Sequence, residues 1–307
     1  MKRRDFVKSG VALGTVATST PLAWAQSGTA RPPVEKHSFK LKYAPHDGMF
    51  KNHAGPNLID QINFMADAGF TALEDNGMMG RDVAMQNKVA ETLQKRGMDM
   101  GVFVIDKGGN GANTLAAGKK EYLDIFLDGC KRAVEVAKRV NATWMTVVPG
   151  DFQRDIPINI QTANVVEALR RGAEIFEPEG LVMVLEPLSD TPDLFLRTSD
   201  QTYLICKAVN SPACKILYDI YHMQKNEGNI ITNMDATWDE IAYIQVGDNP
   251  GRKEPTTGEI NYKNVFAHLH SKGFKGICGM EHGLSEEGKA GEQKLIQAYV
   301  QVDDFEG

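Results

Sequence analysis

The sequence predicts an α/β chain of the (β/α)8 barrel class, a single domain of eight parallel strands each followed by a helix. Three observations carry that prediction. Short apolar runs alternate with amphipathic segments of helix length across residues 39–307, with no internal linker or low-complexity break. The apolar runs are continuous rather than alternating, as expected of strands buried on both faces and hence of a parallel sheet. Four runs also deliver an oxygen-bearing side chain at or near their ends: Glu186, Asp219, Gln245 and Glu281. These lie 33, 26 and 36 residues apart, each interval close to the ~31 residues per βα unit of a ~250-residue barrel.

In chain order, the first 25 residues stand outside the barrel. Lys2-Arg3-Arg4-Asp5-Phe6-Val7-Lys8, a mild apolar run at 11–17 and Ala23-Trp24-Ala25 have the three-part order of a twin-arginine export signal. The expectation is export through the Tat machinery and a periplasmic mature protein. Residues 26–38 read as a loose arm. Strand one is expected at 39–44, followed by a loop with His46, Asp47 and His53. A helix at 56–68 puts Leu58, Ile62, Met65 and Ala66 on one face and stops at Gly69. Strand two, 70–73, ends in Glu74, and a helix at 83–95 follows. Strand three is expected at 100–105, with a Gly-rich loop at 106–113.

The helix at 119–139 carries the clearest 3.6-residue periodicity in the chain, through Leu123, Phe126, Leu127, Cys130, Ala133, Val134 and Ala137. Strand four at 143–148 stops at Pro149-Gly150, and its helix is expected at 163–176. Strand five, 181–185, leads through Glu186 to a turn-rich loop at 189–192 and a helix at 199–209. Strand six, 215–218, ends in Asp219, and residues 222–235 give no clear pattern. Strand seven, 243–246, opens a loop at 247–259 too long for a connector. Helices at 261–272 and 288–302 flank strand eight, 276–280.

Removing the leader, which carries a net +3, turns the formal charge of −6 into −9. An acidic chain without a basic block has no electrostatic footprint for nucleic acid, and no segment beyond the leader is long and apolar enough to span a membrane. Cys130 and Cys278 read as small buried hydrophobes. Cys206 and Cys214 flank the turn Asn210-Ser211-Pro212, and export would permit a disulfide between them. His268 and His270 read as surface residues. Glu74 and Asp106 read as carboxylates that end strands at water. The cluster at Gly108 to Gly111 lacks a following G-K-[ST] and reads as a mobile lid rather than a phosphate cradle.

Two Glu, one Asp and one Gln form an all-oxygen donor set suited to a hard divalent cation, Mg²⁺ or Mn²⁺. Such a cation, holding a carbonyl and its neighbouring hydroxyl, would stabilise the enediolate formed when the intervening C–H loses its proton. Glu186 and Glu281, from strands on opposite sides of the substrate, are the candidates to remove and return that proton. His222, three residues after Asp219, and Arg252 in the long loop are candidates to hold substrate oxygens.

The residues that carry this chemistry also resemble a known family. Leu185-Glu186-Pro187-Leu188, the stretch Asp219-Ile220-Tyr221-His222-Met223-Gln224, Ile244-Gln245-Val246, Pro250-Gly251-Arg252 and the run from Thr257 through Tyr262 resemble hydroxypyruvate isomerase, within the xylose isomerase-like TIM-barrel superfamily. The resemblance spans about 180–281. It implies that Glu186, Asp219, Gln245 and Glu281 are metal ligands, that both Glu are the acid/base pair, and that His222 and Arg252 contact substrate. Tyr243 stands where that pattern usually has His, and ketose 3-epimerases commonly carry His at the position of Gln245. The expectation is a metal-dependent isomerase or epimerase acting on a small sugar or hydroxy-keto acid, with homo-oligomerisation open. A metal-dependent lyase or dehydratase, and a non-catalytic periplasmic sugar-binding protein, are the alternatives.

Overall fold

The computed structural model describes residues 34–306. The expected export signal at 1–25 and most of the expected arm lie outside them. Among the described residues the strands are β1 (Lys42–Ala44), β2 (Ala72–Leu73), β3 (Asp99–Met100), β4 (Phe103–Val104), β5 (Trp144–Val147), β6 (Val182–Leu185), β7 (Cys214–Asp219), β8 (Ile241–Gln245) and β9 (Ile277–Gly279). Every strand pairing is parallel. Seven strands run in the order β1-β9-β8-β7-β6-β5-β4, and β2 pairs with β3. Parallel bridges between His46 and Glu74 and between Met100 and Ala142 link the two pieces into one ring.

The expected third strand, 100–105, is one chain segment split in two. Its first half, β3, pairs with β2, and its second half, β4, pairs with β5. Between them Gly101 donates its N–H to Leu73 O at 2.7 Å, and the Tyr243 hydroxyl crowds the place a Cβ on Gly101 would take. A glycine is required there because a side chain from the far wall fills the space.

The helices are α1 (Lys51–Ala54), α2 (Leu58–Ala68), α3 (Val83–Arg96), α4 (Lys120–Val140), α5 (Ile158–Phe176), α6 (Ser199–Val209), α7 (Ile220–Asn226), α8 (Ile230–Ala236), α9 (Tyr262–Ser271) and α10 (Gly288–Asp303). The Asn57 side chain caps α2 at Ile59 N, and Gly69 ends it in the left-handed region at φ 105°. On α4 the predicted stripe is the buried face at Phe126, Cys130, Ala133, Val134 and Ala137. Helix α5 begins at Ile158, not at residue 163. Gln161 inside its first turns is fully buried and is satisfied by Gln153 N, Gln153 O and Ile156 O. The unpatterned segment 222–235 holds α7 and α8.

The barrel interior is layered with a two-residue step. Ala44, Ala72, Val102, Val184, Leu217, Tyr243 and Ile277 make an apolar floor, with Trp144, Val182 and Ala242 against it. Two residues further along, several strands turn polar: Ala44 is followed by His46, Ala72 by Glu74, Val184 by Glu186, Leu217 by Asp219 and Tyr243 by Gln245. The fold therefore lifts these side chains together to the C-terminal mouth, above a dry floor.

Candidate metal centre

Glu186, Asp219, His222 and Glu281 converge so that one ligand atom from each lies within 4.8 Å of the others. Gln245 stands opposite Asp219 in the β7–β8 register. All four expected ligands, together with His222 and Arg252, are thus brought to one place.

Asp219 does two jobs through one carboxylate. As the N-cap of α7, its Oδ1 accepts from Tyr221 N at 2.7 Å and His222 N at 3.2 Å, while Oδ2 accepts from Arg252 Nη2 at 3.1 Å. Capping fixes the first turn of α7 and so sets His222 beside the carboxylates. The Ser189 N–H donates to His222 Nδ1 at 3.1 Å, with Ser189 Oγ at 2.7 Å from the same nitrogen. A backbone N–H can only donate, so Nδ1 is unprotonated and the neutral ring carries its proton on Nε2. That Nε2 stands 3.6 Å from Asp219 Oδ2 and 3.8 Å from Glu186 Oε1. Burial holds the ring's pKa below its ordinary value, with Asp219 opposing. His222 is a hydrogen-bond donor toward the site, which fits a substrate contact better than a ligand.

Arg252 spans two of the acids. Nη2 donates to Glu281 Oε2 at 2.6 Å as well as to Asp219, Nε donates to the Glu281 carbonyl at 3.1 Å, and the guanidinium lies 4.9 Å from the Tyr221 ring centre. The loop that carries it is organised by two buried carboxylates. Asp248 accepts from Gly258 N and Ile260 N, and Glu254 accepts from Ser285 N and Ser285 Oγ. Asn76 Nδ2 donates to Glu281 Oε1 at 2.8 Å. Burial pushes the Glu281 carboxyl up to about 8, with Arg252 opposing. Burial, then Glu281 and Asp219, raise Glu186 well above the ordinary carboxylate range.

The donor set fits a divalent cation. Glu186 Oε1 and Gln245 Oε1 are buried with no hydrogen-bond partner in the chain. Buried oxygens are rarely left so, and both belong to the all-oxygen set that a hard cation prefers. Beside the acids opens a cleft of about 520 Å³, lined by His46, Asp47, Asn76, Arg252, Glu281 and His282 among others.

Glu74 is the residue the sequence reading placed wrongly. It does not end its strand at water: it is fully buried at the mouth, accepting from His46 Nε2, Tyr243 OH and Gln245 Nε2. The two-residue step from Ala72 was the signal that could have found it. Asp106 is exposed beside Arg132, as expected. The segment after it is tied down by the Lys107 ammonium, which donates to Gly109 O and Ala112 O. Cys206 and Cys214 are both buried free thiols.

Residues 62–299 match the family model described as xylose isomerase-like TIM barrel. Among curated relatives, hydroxypyruvate isomerase of Escherichia coli K12 is 32% identical over 168 residues, covering 54% of this chain and 65% of that protein, slightly under two thirds of its length. The 2-oxo-tetronate isomerase of Cupriavidus necator is 28% identical over 238 residues, 76% of this chain and 89% of the relative. Among solved structures, the 3-keto-D-glucoside 4-epimerase of E. coli superposes with a TM-score of 0.71 at 18% identity, over 85% of this chain and 98% of that one. A D-psicose 3-epimerase crystallised in the presence of D-fructose gives 0.67 at 14%, over 86% and 95%. At those identities the structural likeness speaks for the fold.

Proposed function

The chain belongs to the xylose isomerase-like TIM barrel family, and from that premise we propose that it is an isomerase or epimerase moving a proton at a carbon next to a carbonyl in a small sugar or hydroxy-keto acid. The observation that carries the proposal is the pairing of Glu186 and Glu281. Glu186 is buried and Glu281 is partly buried, they come from the ends of β6 and β9, and their carboxylates converge with the Asp219 carboxylate and His222, with the Arg252 guanidinium on Glu281. The names of the relatives, isomerases of hydroxypyruvate and 2-oxo-tetronate, support the same class and suggest its substrates.

Glu186, Asp219, Gln245 and Glu281 would hold the divalent cation, Mg²⁺ or Mn²⁺. The chemistry such a cation would supply there is Lewis-acid polarisation of a substrate carbonyl, which would acidify the adjacent C–H. The residues do the rest. One of the two Glu side chains takes the proton from carbon and the other returns one, to the neighbouring carbon in isomerisation or to the opposite face in epimerisation. Burial raises both carboxyls above the ordinary carboxylate range, the direction that suits a carboxylate to take a proton and give one back. His222 Nε2–H donates to a substrate oxygen in a fixed tautomer, and Arg252 directs its guanidinium at the same cluster.

The test is ¹H NMR in D₂O with Mn²⁺ or Mg²⁺ added to hydroxypyruvate, 2-oxo-tetronate and a panel of ketoses. Solvent deuterium should enter the C–H beside the carbonyl of at least one compound, and Glu186→Gln and Glu281→Gln should each slow that exchange by about 10²–10⁴-fold. Exchange unchanged in both variants would remove the proposal.

A further inference from the structure

A glutamine is an ambiguous ligand: its amide ends are nearly the same size, but only the oxygen can bind a cation. At Gln245 the ambiguity is resolved by Glu74. Gln245 Nε2 donates to Glu74 Oε1 at 2.7 Å, His46 Nε2 lies 2.6 Å from the same oxygen, and the Tyr243 hydroxyl donates to Oε2 at 2.7 Å. Glu74 is fully buried and acts as acceptor in this network. Turning the amide over would press Gln245 Oε1 against a carboxylate oxygen at hydrogen-bond distance with no proton between them, a contact that costs more in a dry site than in water. As built, Gln245 Oε1 faces away from Glu74, buried and without a partner in the chain.

We propose that Glu74 is a positioning residue: it fixes the Gln245 amide so that its oxygen is presented to the divalent cation held with Glu186, Asp219 and Glu281, while Tyr243 and His46 hold Glu74 itself. This rests on the cation reading of the site given above. Gly279 belongs to the same device. It lies two residues beyond Ile277 in the floor, and a Cβ there would overlap the Glu74 carboxylate, so a gap in the polar layer is filled by a side chain reaching over from β2. A role confined to stability would need Glu74 to be satisfied, but not the particular end of Gln245 that it grips.

The test is Mn²⁺ binding by equilibrium dialysis, on chains whose fold is checked by circular dichroism. In Glu74→Leu the carboxylate that grips Gln245 Nε2 is gone, so the amide is no longer held and is free to turn its NH₂ to the cation. The Mn²⁺ dissociation constant should rise by about 10- to 100-fold, the usual cost of losing a group that orients a ligand. Adding Gln245→Glu to that variant presents an oxygen whichever way the side chain turns, and affinity should recover at least to within about threefold of wild type. Asp190→Asn removes a half-exposed carboxylate that lies 3.9 Å from Arg252 Nη1 and 4.0 Å from His222 Nε2 without touching Gln245, and should shift affinity by less than about threefold. Three results would overturn the inference: Glu74→Leu binding like wild type, a double variant as weak as the single, or Asp190→Asn weakening binding as much as Glu74→Leu. Should the single variant not fold, the double variant decides alone, since a folded chain without wild-type-like affinity contradicts the orienting role. A wild-type chain that binds no Mn²⁺ overturns the cation reading instead, which is a different failure.

Discussion

Gly279→Ala probes how tightly the polar mouth of the barrel is built. A methyl at that position would overlap Glu74 Oε2 and stand 2.7 Å from Glu74 Cδ and 3.1 Å from Oε1, where real Cβ contacts essentially never fall below 3.0 Å. The carboxylate is not a loose end that can swing aside, because Tyr243, Gln245 and His46 all contact it. It must retreat, and the first bond lost is Tyr243 OH to Oε2. Overpacking a filled interior costs about 1–3 kcal/mol, and losing a hydrogen bond to a charged group adds about 1.5–3 kcal/mol. The expected destabilisation is therefore about 2.5–6 kcal/mol, read as a shift in the urea unfolding curve followed by circular dichroism. The assay is completed as a cycle with Glu74→Ala, which vacates the space the methyl needs. Gly279→Ala should cost at least about 2 kcal/mol less in that background, the size of coupling expected of touching side chains. A cost below about 1 kcal/mol in the wild-type chain, or an equal cost in both backgrounds, would refute the reasoning.

Two further predictions concern other carboxylates. Glu292 is fully buried on α10 and accepts from Asn52 N at 2.6 Å, Asn52 Nδ2 at 2.8 Å and His53 N at 2.9 Å, with His53 Nδ1 at 2.5 Å, so it ties α1 to the barrel wall. Glu292→Ala strands those donors and should cost about 3 kcal/mol or more in urea unfolding while leaving Mn²⁺ affinity unchanged; a loss under about 1 kcal/mol would show that water replaces the carboxylate without penalty. In metal-free protein, burial lifts Glu281 from 4.5 to about 8 against the pull of Arg252. Between those values the folded chain keeps a proton that the unfolded chain has released, so stability falls as pH rises from about 5 to about 8. Urea midpoints measured in EDTA across that range should decline less steeply for Glu281→Gln, and an unchanged slope would contradict the assignment.

The strand rhythm was legible because parallel strands buried on both faces spell themselves as apolar runs, and the convergence of the four candidate ligands was legible because each sits at or near the end of such a run about one unit from the next. What stayed hidden depends on residues far apart in sequence. The break at Gly101 is made by the Tyr243 hydroxyl from across the barrel, which no local pattern near Gly101 records. The first turns of α5 contain Gln161, a polar residue that reads as loop but is buried because the preceding loop's backbone satisfies it. Helices α7 and α8 are each only seven residues long, too short for a 3.6-residue period to declare itself. Glu74 is the instructive case. Taken one at a time, a carboxylate after an apolar run is best read as a strand ending at water, and by that rule Asp106 came out right and Glu74 wrong. The difference lies in the interior step: Ala72 is a floor residue and Glu74 stands two beyond it, the same step that places Glu186 above Val184, Asp219 above Leu217 and Gln245 above Tyr243. In a closed barrel, residues of one layer must share the mouth whatever their separation in the chain, so the layer, rather than the end of any single strand, is the unit in which such a site is written.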